Sequence, residues 1–444
     1  MKMENQSVIL PKCRKKKKRN GGYEKVKILI INTQSVNHSN ATGVTLRSIL
    51  RGKPSEEILE LYMQPCVRAA DALPIRSVQL GFWECPVRTL ANRFNRAGTE
   101  TSVSVENPGK SSFKKRMKSR LIMTIDFEKV FLTKKIRRLV NEFAPDCVYT
   151  LGNSIDAMKY ACKLADYCGV HILPHFMDNW QESHRYGSEK YPTHCKTTQK
   201  WLKQMYEKAV CGLTISEKMA AVYEERWHIR HFALMNAVDV GQYYCGQKKE
   251  NERILVYAGG LHLNRYKSLL EIARCVDRLN RGMKSSSDEG YKLEIYTDSK
   301  SKALYEGQFA PFQCVSFREY VKHDQIRTVY ERASILVHIE TFDPEYRNFI
   351  LYSLSTKISE YLATGLPILL YAPEEIFVSE YLKCNNAAAV VSDEETLSEA
   401  LKKLMSDPSY RAELGSKAEK LAREKHDKAI ALMVFDQAVD CACK

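Results

Sequence analysis

Two α/β domains, each built on a parallel sheet and facing the other across a cleft, are what this sequence of 444 residues predicts. Three observations lead there. Short apolar runs alternate with amphipathic helical stretches along most of the chain, as strand–helix–strand units require. A charged stretch at residues 247–253 divides that alternation into two series. Each series opens with an apolar strand running into a loop of polar or small residues, VKILIIN at 26–32 and ILVYAGG at 254–260. The predicted boundaries are a basic tail of disordered composition at 1–24, a first domain at 25–246, a second at 247–425, and a last helix at 426–444 that crosses back to the first domain.

In the first series a polar loop (33–42) and Gly43 lead to a helix at 44–50. The short segments around Val78 and Trp83 have no order that the pattern fixes. The spacing of Val130, Phe131, Ile136, Leu139 and Val140 predicts a helix over 127–143, stopped by Pro145. DCVYTLG (146–152) reads as a strand entering a glycine loop, followed by a helix at 155–167 and a strand at 169–174. The loop HFMDNW (175–180) is then rich in groups able to do chemistry. A helix at 199–210, a strand at 212–216, a helix at 217–226 and the run ALMNAV (233–238) complete this half.

The second series continues with a helix at 268–280, a strand at 292–297, a helix at 324–333 and a strand at 334–340. STKISEYLATGLPILLYAP (355–373) is a short helix, a glycine stop at Gly365 and a buried strand, with Ser355 as the N-cap. Helices at 395–405 and 410–425 precede the terminal segment. No fixed-period repeat is present, and no G-x-G-x-x-G fingerprint supports a dinucleotide cofactor.

Composition narrows the class. Hydrophobic content of 44% and charged content of 27% are those of a globular protein, and no apolar run approaches the ~20 residues of a spanning helix. The first residues lack the apolar core of a signal peptide, so a cytoplasmic location with reduced thiols is expected for the fourteen scattered cysteines. Net charge is +15, with one basic cluster at 12–19. A second contains Lys110, Lys114, Lys115, Arg116, Lys118 and Arg120 and interleaves with Phe113, Met117 and Leu121. That mixture suits an anionic membrane surface or an acidic acceptor. No nucleic-acid-binding motif accompanies the charge, so nucleic acid is not an expected partner.

The candidate site residues follow from chemistry. A helix that opens Ser355-Thr356-Lys357 offers free N–H groups, a positive dipole end and an ammonium, which together suit a phosphate. Glu360 lies further along as an acceptor for sugar hydroxyls. Arg265 and Lys267 follow Gly260 and supply further cations, and Glu340 stands at a strand's end. In the first domain His175 and Asp178 are candidates to position or polarise an acceptor hydroxyl. Gly43, Gly152 and Asn153 are loop positions near an acceptor or a phosphate. No Asp-x-Asp pair occurs and no metal is expected.

With these motifs in order, YAGGLHLNRYKSLLEIA, SILVHIE before STKISEYLATGLPIL, CVYTLGNS, and ILPHFMDNW with LTISEKMAAVY, the chain resembles the GT-B glycosyltransferases. The likeness is to the large retaining family that includes bacterial polysaccharide mannosyl- and glucosyltransferases, and it covers most of residues 25–440. The resemblance implies a GT-B fold of two Rossmann-like domains, the second holding a nucleotide-diphosphate sugar and the first a glycan or lipid-linked glycan acceptor. It implies a metal-independent transferase without cofactor, active at the cytoplasmic face of a membrane in cell-surface polysaccharide synthesis. It places Lys267 on the diphosphate and Glu360 on the ribose. The family's arginine position is Leu261 here, and its first acid is Tyr352, with Glu340 the best-placed substitute. A sugar-nucleotide epimerase or phosphorylase of the same fold, or a non-catalytic scaffold, are the alternative readings.

Overall fold

The computed structural model describes residues 25–95, 123–182, 186–187, 190–246, 253–282, 290–322 and 325–444. The basic clusters at 12–19 and 110–120 lie outside these residues, as does most of the predicted linker.

The first lobe is a seven-stranded parallel sheet in the order β3-β2-β1-β4-β5-β6-β7. Its strands are β1 (Ile28–Asn32), β2 (Ile58–Tyr62), β3 (Arg76–Gln79), β4 (Cys147–Thr150), β5 (His171–Phe176), β6 (Cys211–Thr214) and β7 (Arg230–Ala233). All of β1 and β4 is buried, as apolar strands covered on both faces must be. Helices α1 (Ala41–Leu50), α2 (Pro86–Asn95), α3 (Lys134–Phe143), α4 (Ile155–Cys168), α5 (Pro192–Tyr206) and α6 (Glu217–Trp227) cover it. The short α7 (Val240–Tyr243) leads to the second lobe.

That lobe is a six-stranded parallel sheet, β10-β9-β8-β11-β12-β13, and so repeats the strand order of the first. Its strands are β8 (Ile254–Ala258), β9 (Lys292–Tyr296), β10 (Val315–Arg318), β11 (Ile335–Ile339), β12 (Ile368–Tyr371) and β13 (Ala389–Val391). Its helices are α8 (Arg265–Arg281), α9 (Ser299–Phe309), α10 (Ile326–Tyr330), α11 (Arg347–Ile350), α12 (Thr356–Thr364), α13 (Phe377–Cys384), α14 (Glu394–Ser406) and α15 (Pro408–Lys425). A final helix, α16 (Lys428–Ala442), packs on β5, β6 and α1 of the first lobe. In both sheets the order reverses between the first strand and its neighbour across the middle, β1 beside β4 and β8 beside β11. Loops at such a switch point open a crevice for ligands.

Three local expectations change. The helix expected from 127 begins only at Lys134, where the Thr133 hydroxyl accepts the Ile136 amide at 3.4 Å. Phe127 lies in a turn and residues 128–131 have no regular structure, with residues 127–131 alternating exposed and buried. Helix α1 starts at Ala41 rather than 44, because the Asn40 side chain accepts the Gly43 amide at 2.9 Å. Gly43 is therefore inside the helix, and a Cβ there would collide with the His38 carbonyl. His175 belongs to strand β5 rather than to the loop after it.

The two crossings between lobes are laced together. The Val238 amide donates to the His426 carbonyl at 2.9 Å, and the Lys428 amide donates to the Val238 carbonyl at 3.1 Å. The His426 ring is fully buried there. Its Nδ1 lies 2.7 Å from the Asn236 carbonyl, which can only accept, so Nδ1 carries the proton. Nε2 is left to accept from the Tyr381 hydroxyl at 2.9 Å. Burial pushes this imidazole down to about 4. An unfolded histidine titrates near ~6.5, so the unfolded chain takes up the proton first as pH falls. The stability contributed by neutral His426 is present above that value and is lost towards pH 4. A His426→Gln variant is expected to lose less of its melting temperature than the wild type between pH 6.5 and 5, measured by calorimetry.

Candidate active site

The site helix is α12. Ser355 caps it in an extended conformation, its hydroxyl accepting the Lys357 amide at 3.4 Å, and the Ile358 amide donates to the Ser355 carbonyl at 3.0 Å. Gly365, at φ 70°, ends it after nine residues. Its first residue, Thr356, and then Ser359 and Glu360 line a cleft of about 2030 Å3 between the lobes. The first lobe contributes Gln34, His38, Asn40, Thr45 and Gln64, from the loop after β1, from α1 and from the loop after β2. The second contributes His262, Asp298, Tyr305, Tyr320 and Arg327 from the loops and helices at its switch-point side.

Behind Thr356 sits a compact charge cluster. The Arg265 guanidinium, at the first turn of α8, donates to Glu340 Oε2 from Nε at 3.0 Å and from Nη2 at 2.6 Å. Its Nη1 reaches His262 Nε2 at 3.1 Å. His338 Nε2 lies 3.2 Å from the other Glu340 oxygen. Burial would raise the Glu340 carboxyl, but Arg265 and His338 outweigh it and hold the group down to about 2. Lys357 turns beneath the loop after β8, where its ammonium lies 5.6 Å from the centre of the Tyr257 ring. A Cβ at Gly259 would collide with that ammonium, so the glycine makes its room. Desolvation and then the Arg265 charge push Lys357 down to about 8, against the pull of Glu340 and Glu360. Among the described residues Lys357 makes no ion pair. Glu360 is buried and accepts the Tyr330 hydroxyl at 2.6 Å.

The other sequence-predicted positions divide. Lys267 is exposed, near Asp343 and outside the cleft lining. Helix α8 starts at Arg265, so residues 265 and 267 stand ~200° apart around it and cannot share a face. His175 is fully buried, shares a 2.7 Å hydrogen bond with the Tyr149 hydroxyl and is held down to about 3 by burial. Tyr149 in turn meets Phe435 of α16, so this imidazole lies in the first lobe's core. Asp178 is pushed up to about 6 by burial and accepts the Trp180 amide at 3.2 Å, a turn bond. Neither residue lines the cleft. Gly152 adopts φ 56° with the Phe176 ring where a Cβ would go, and Asn153 Oδ1 accepts the Thr33 hydroxyl at 3.1 Å across the β1–β4 switch point. The Gly260 carbonyl accepts the Tyr257 hydroxyl at 2.8 Å.

Sequence reasoning missed the residues that hold the lobes in register. Asn179 Nδ2 donates to the Asn348 carbonyl at 3.2 Å, and Ser216 Oγ donates to the Tyr352 carbonyl at 2.9 Å. Asn236 Nδ2 donates to the Leu354 carbonyl at 2.9 Å, while its Oδ1 accepts the Thr45 hydroxyl at 3.1 Å. The expected acid at 352 is thus a tyrosine that the first lobe holds through its backbone. No cluster of three or more His, Cys, Asp or Glu among the described residues could hold a metal ion, and no described helix is long and apolar enough to cross a membrane.

Residues 277–430 match a protein family described as glycosyl transferase-like. Among solved structures, Anabaena HepE in complex with UDP and glucose superposes over 94% of this chain and 99% of its own, at a TM-score of 0.59 and 11% identity. Sucrose-phosphate synthase from Thermosynechococcus elongatus does so over 93% and 98%, at 0.58 and 13%. A UDP-forming trehalose-phosphate synthase from Burkholderia xenovorans does so over 94% and 100%, at 0.59 and 10%. Residues 277–430 are similar to that family, and the whole chain has the GT-B fold. No curated protein matches it in sequence. The two parallel sheets, their shared strand order and the interlobe cleft are those of GT-B.

Replacing Asn236 by Ala is expected to strip the buried Leu354 carbonyl of its donor and lower stability by about 1–3 kcal/mol. Chemical denaturation measures this, and an Asn236→Asp variant, which keeps the size but not the donating amide, is expected to fall in the same range.

Proposed function

We propose that this GT-B protein transfers a sugar from a nucleotide-diphosphate sugar to a glycan or lipid-linked glycan acceptor in the synthesis of a cell-surface polysaccharide. The observation that carries the reading is the start of α12. There a capped helix end bearing Thr356 opens into the interlobe cleft, with the unpaired ammonium of Lys357 close behind it. A helix N-terminus with a desolvated cation nearby favours an anion, and a leaving diphosphate is the anion that glycosyl transfer produces. Arg265 is largely neutralised by Glu340, so the diphosphate role falls to the Lys357 ammonium and the Thr356 amide rather than to Lys267. Glu360, buried at the cleft wall, is suited to accept hydrogen bonds from a ribose or sugar hydroxyl. Because HepE was solved with UDP, UDP is the natural first probe.

The reaction proceeds with retention on this reading. The bond from the anomeric carbon to the diphosphate oxygen breaks as the acceptor hydroxyl bonds to the same face, and the acceptor's proton passes to the departing phosphate. No protein nucleophile is required, in keeping with the placement of His175 and Asp178 away from the cleft lining. The polar first-lobe wall of Gln34, Asn40 and Gln64 suits a hydroxyl-rich acceptor. The protein would act at the cytoplasmic face of a membrane.

Isothermal titration with UDP, UDP-sugars and GDP tests the donor site. A Lys357→Met variant is expected to bind its nucleotide at least about tenfold more weakly and to lose about 100-fold in turnover. Lys267→Ala is expected to stay within about threefold of the wild type, because an exposed lysine outside the cleft adds only screened charge. Equal nucleotide binding by the wild type and Lys357→Met, or no binding by the wild type, would refute the assignment.

A further inference from the structure

The turn that leads into α2 and the irregular segment before α3 form one surface. The Phe131 amide donates to the Glu84 carbonyl at 2.9 Å, and the Thr133 hydroxyl donates to Glu84 Oε1 at 2.7 Å. Glu128 Oε2 accepts the amides of Val87 and Arg88 at 2.9 and 3.3 Å. From this surface stand Trp83, 77% exposed, and Phe82, Phe127 and Phe131, at 42%, 44% and 47%. The rings of Phe82 and Trp83 meet edge to face, 5.6 Å between centres.

Charge is sorted by side on the same segments. The acids turn inward: Glu84, Asp126, Glu128 and Asp156 are all buried. Asp156 is gripped by the Arg88 guanidinium through two bonds of 2.7 Å, and the Lys159 ammonium caps the carbonyls of Asp126 and Glu128 at 2.8 Å each. Apart from Arg88 and Lys159, which hold the acids in place, the lysines turn outward. Lys129 is exposed between Phe127 and Phe131, and Lys134 and Lys135 are exposed at the start of α3. Lys163 lies 5.7 Å from the Phe131 ring. Four large aromatic rings held in water are costly, and they are set among cations whose neighbouring acids have been withdrawn.

We propose that this face is a docking surface for an anionic lipid bilayer. The rings of Trp83, Phe82, Phe127 and Phe131 would sit at headgroup level, and Lys129, Lys134 and Lys135 would pair with lipid phosphates. Tryptophan suits that depth because its ring is apolar and its N–H polar. Each surface lysine near anionic lipid adds to the attraction. Charge complementarity selects the occupant: a zwitterionic or apolar partner has no use for the outward Lys129, Lys134 and Lys135. Asn92, on α2 downstream of Trp83, lines the cleft, so docking would bring the cleft to the membrane. The inference deepens the reading of a lipid-linked acceptor, yet it needs no nucleotide sugar and is tested without one.

The test is co-sedimentation of the full chain with vesicles of phosphatidylcholine alone or with ~30 mol% phosphatidylglycerol. The wild type is expected to partition at least about tenfold better onto the anionic vesicles. The double variant Trp83→Ala/Phe131→Ala is expected to lose at least about tenfold of that partitioning, with its melting temperature and UDP titration unchanged. Lys129→Glu/Lys134→Glu is expected to weaken binding to anionic vesicles only. Failure of the wild type to bind anionic vesicles would overturn the proposal. So would wild-type partitioning by both double variants, which would put lipid contact elsewhere on the chain. Acrylamide quenching compared between the wild type and Trp83→Phe without vesicles gives a further check: a shielded Trp83 would mean that the chain itself covers this face, and would overturn it too.

Discussion

Three side chains of the first lobe hold the strand of backbone that delivers the site helix. Asn179, Ser216 and Asn236 donate to the carbonyls of Asn348, Tyr352 and Leu354, and the next residue is Ser355, the cap of α12. A carbonyl accepts whatever side chain its residue carries, so this tie constrains the backbone and leaves residue identity free at 348, 352 and 354. The position of the capped end of α12 in the second lobe is therefore held from across the cleft. The crossing at Val238, His426 and Lys428 closes the same joint from its other side.

Within that frame, burial sorts the charges. Arg265 and Glu340 satisfy each other so fully that the pair is a structural strut beside the site. Lys357 makes no such pair among the described residues, and desolvation pushes its ammonium down to about 8. His175 and His426 are desolvated in the same manner but have hydrogen-bonding neighbours that suit a neutral ring, so they serve packing. One lever, removal from water, gives a responsive cation in one place and inert imidazoles in two others.

The first lobe applies the same sorting at its surface. Around Trp83 the acids are folded inward, bonded to backbone amides, Arg88 and the Thr133 hydroxyl, while aromatic rings and the lysines of 129–135 face out. Over 127–131 burial alternates residue by residue, leaving Phe127, Lys129 and Phe131 exposed and Glu128 and Val130 buried. A helix over the same residues would have mixed them.

The two-lobe parallel architecture was legible because buried parallel strands must be continuously apolar, and β1, β8, β11 and β12 announce themselves as such. The cap and stop of α12 were equally plain, since Ser355 and Gly365 act on their immediate neighbours. Helix α9 and strand β10 escaped notice for the converse reason: α9 buries only Phe309, and β10 is a half-exposed edge. By itself the sequence determined most of the elements and the cap and stop of α12, which depend on residues a few positions apart. Only the tertiary structure decided which cation lacks an ion pair among the described residues, which histidine is core and which donors tie the lobes, because these depend on groups far apart in sequence, such as Asn236 and His426, brought together out of water.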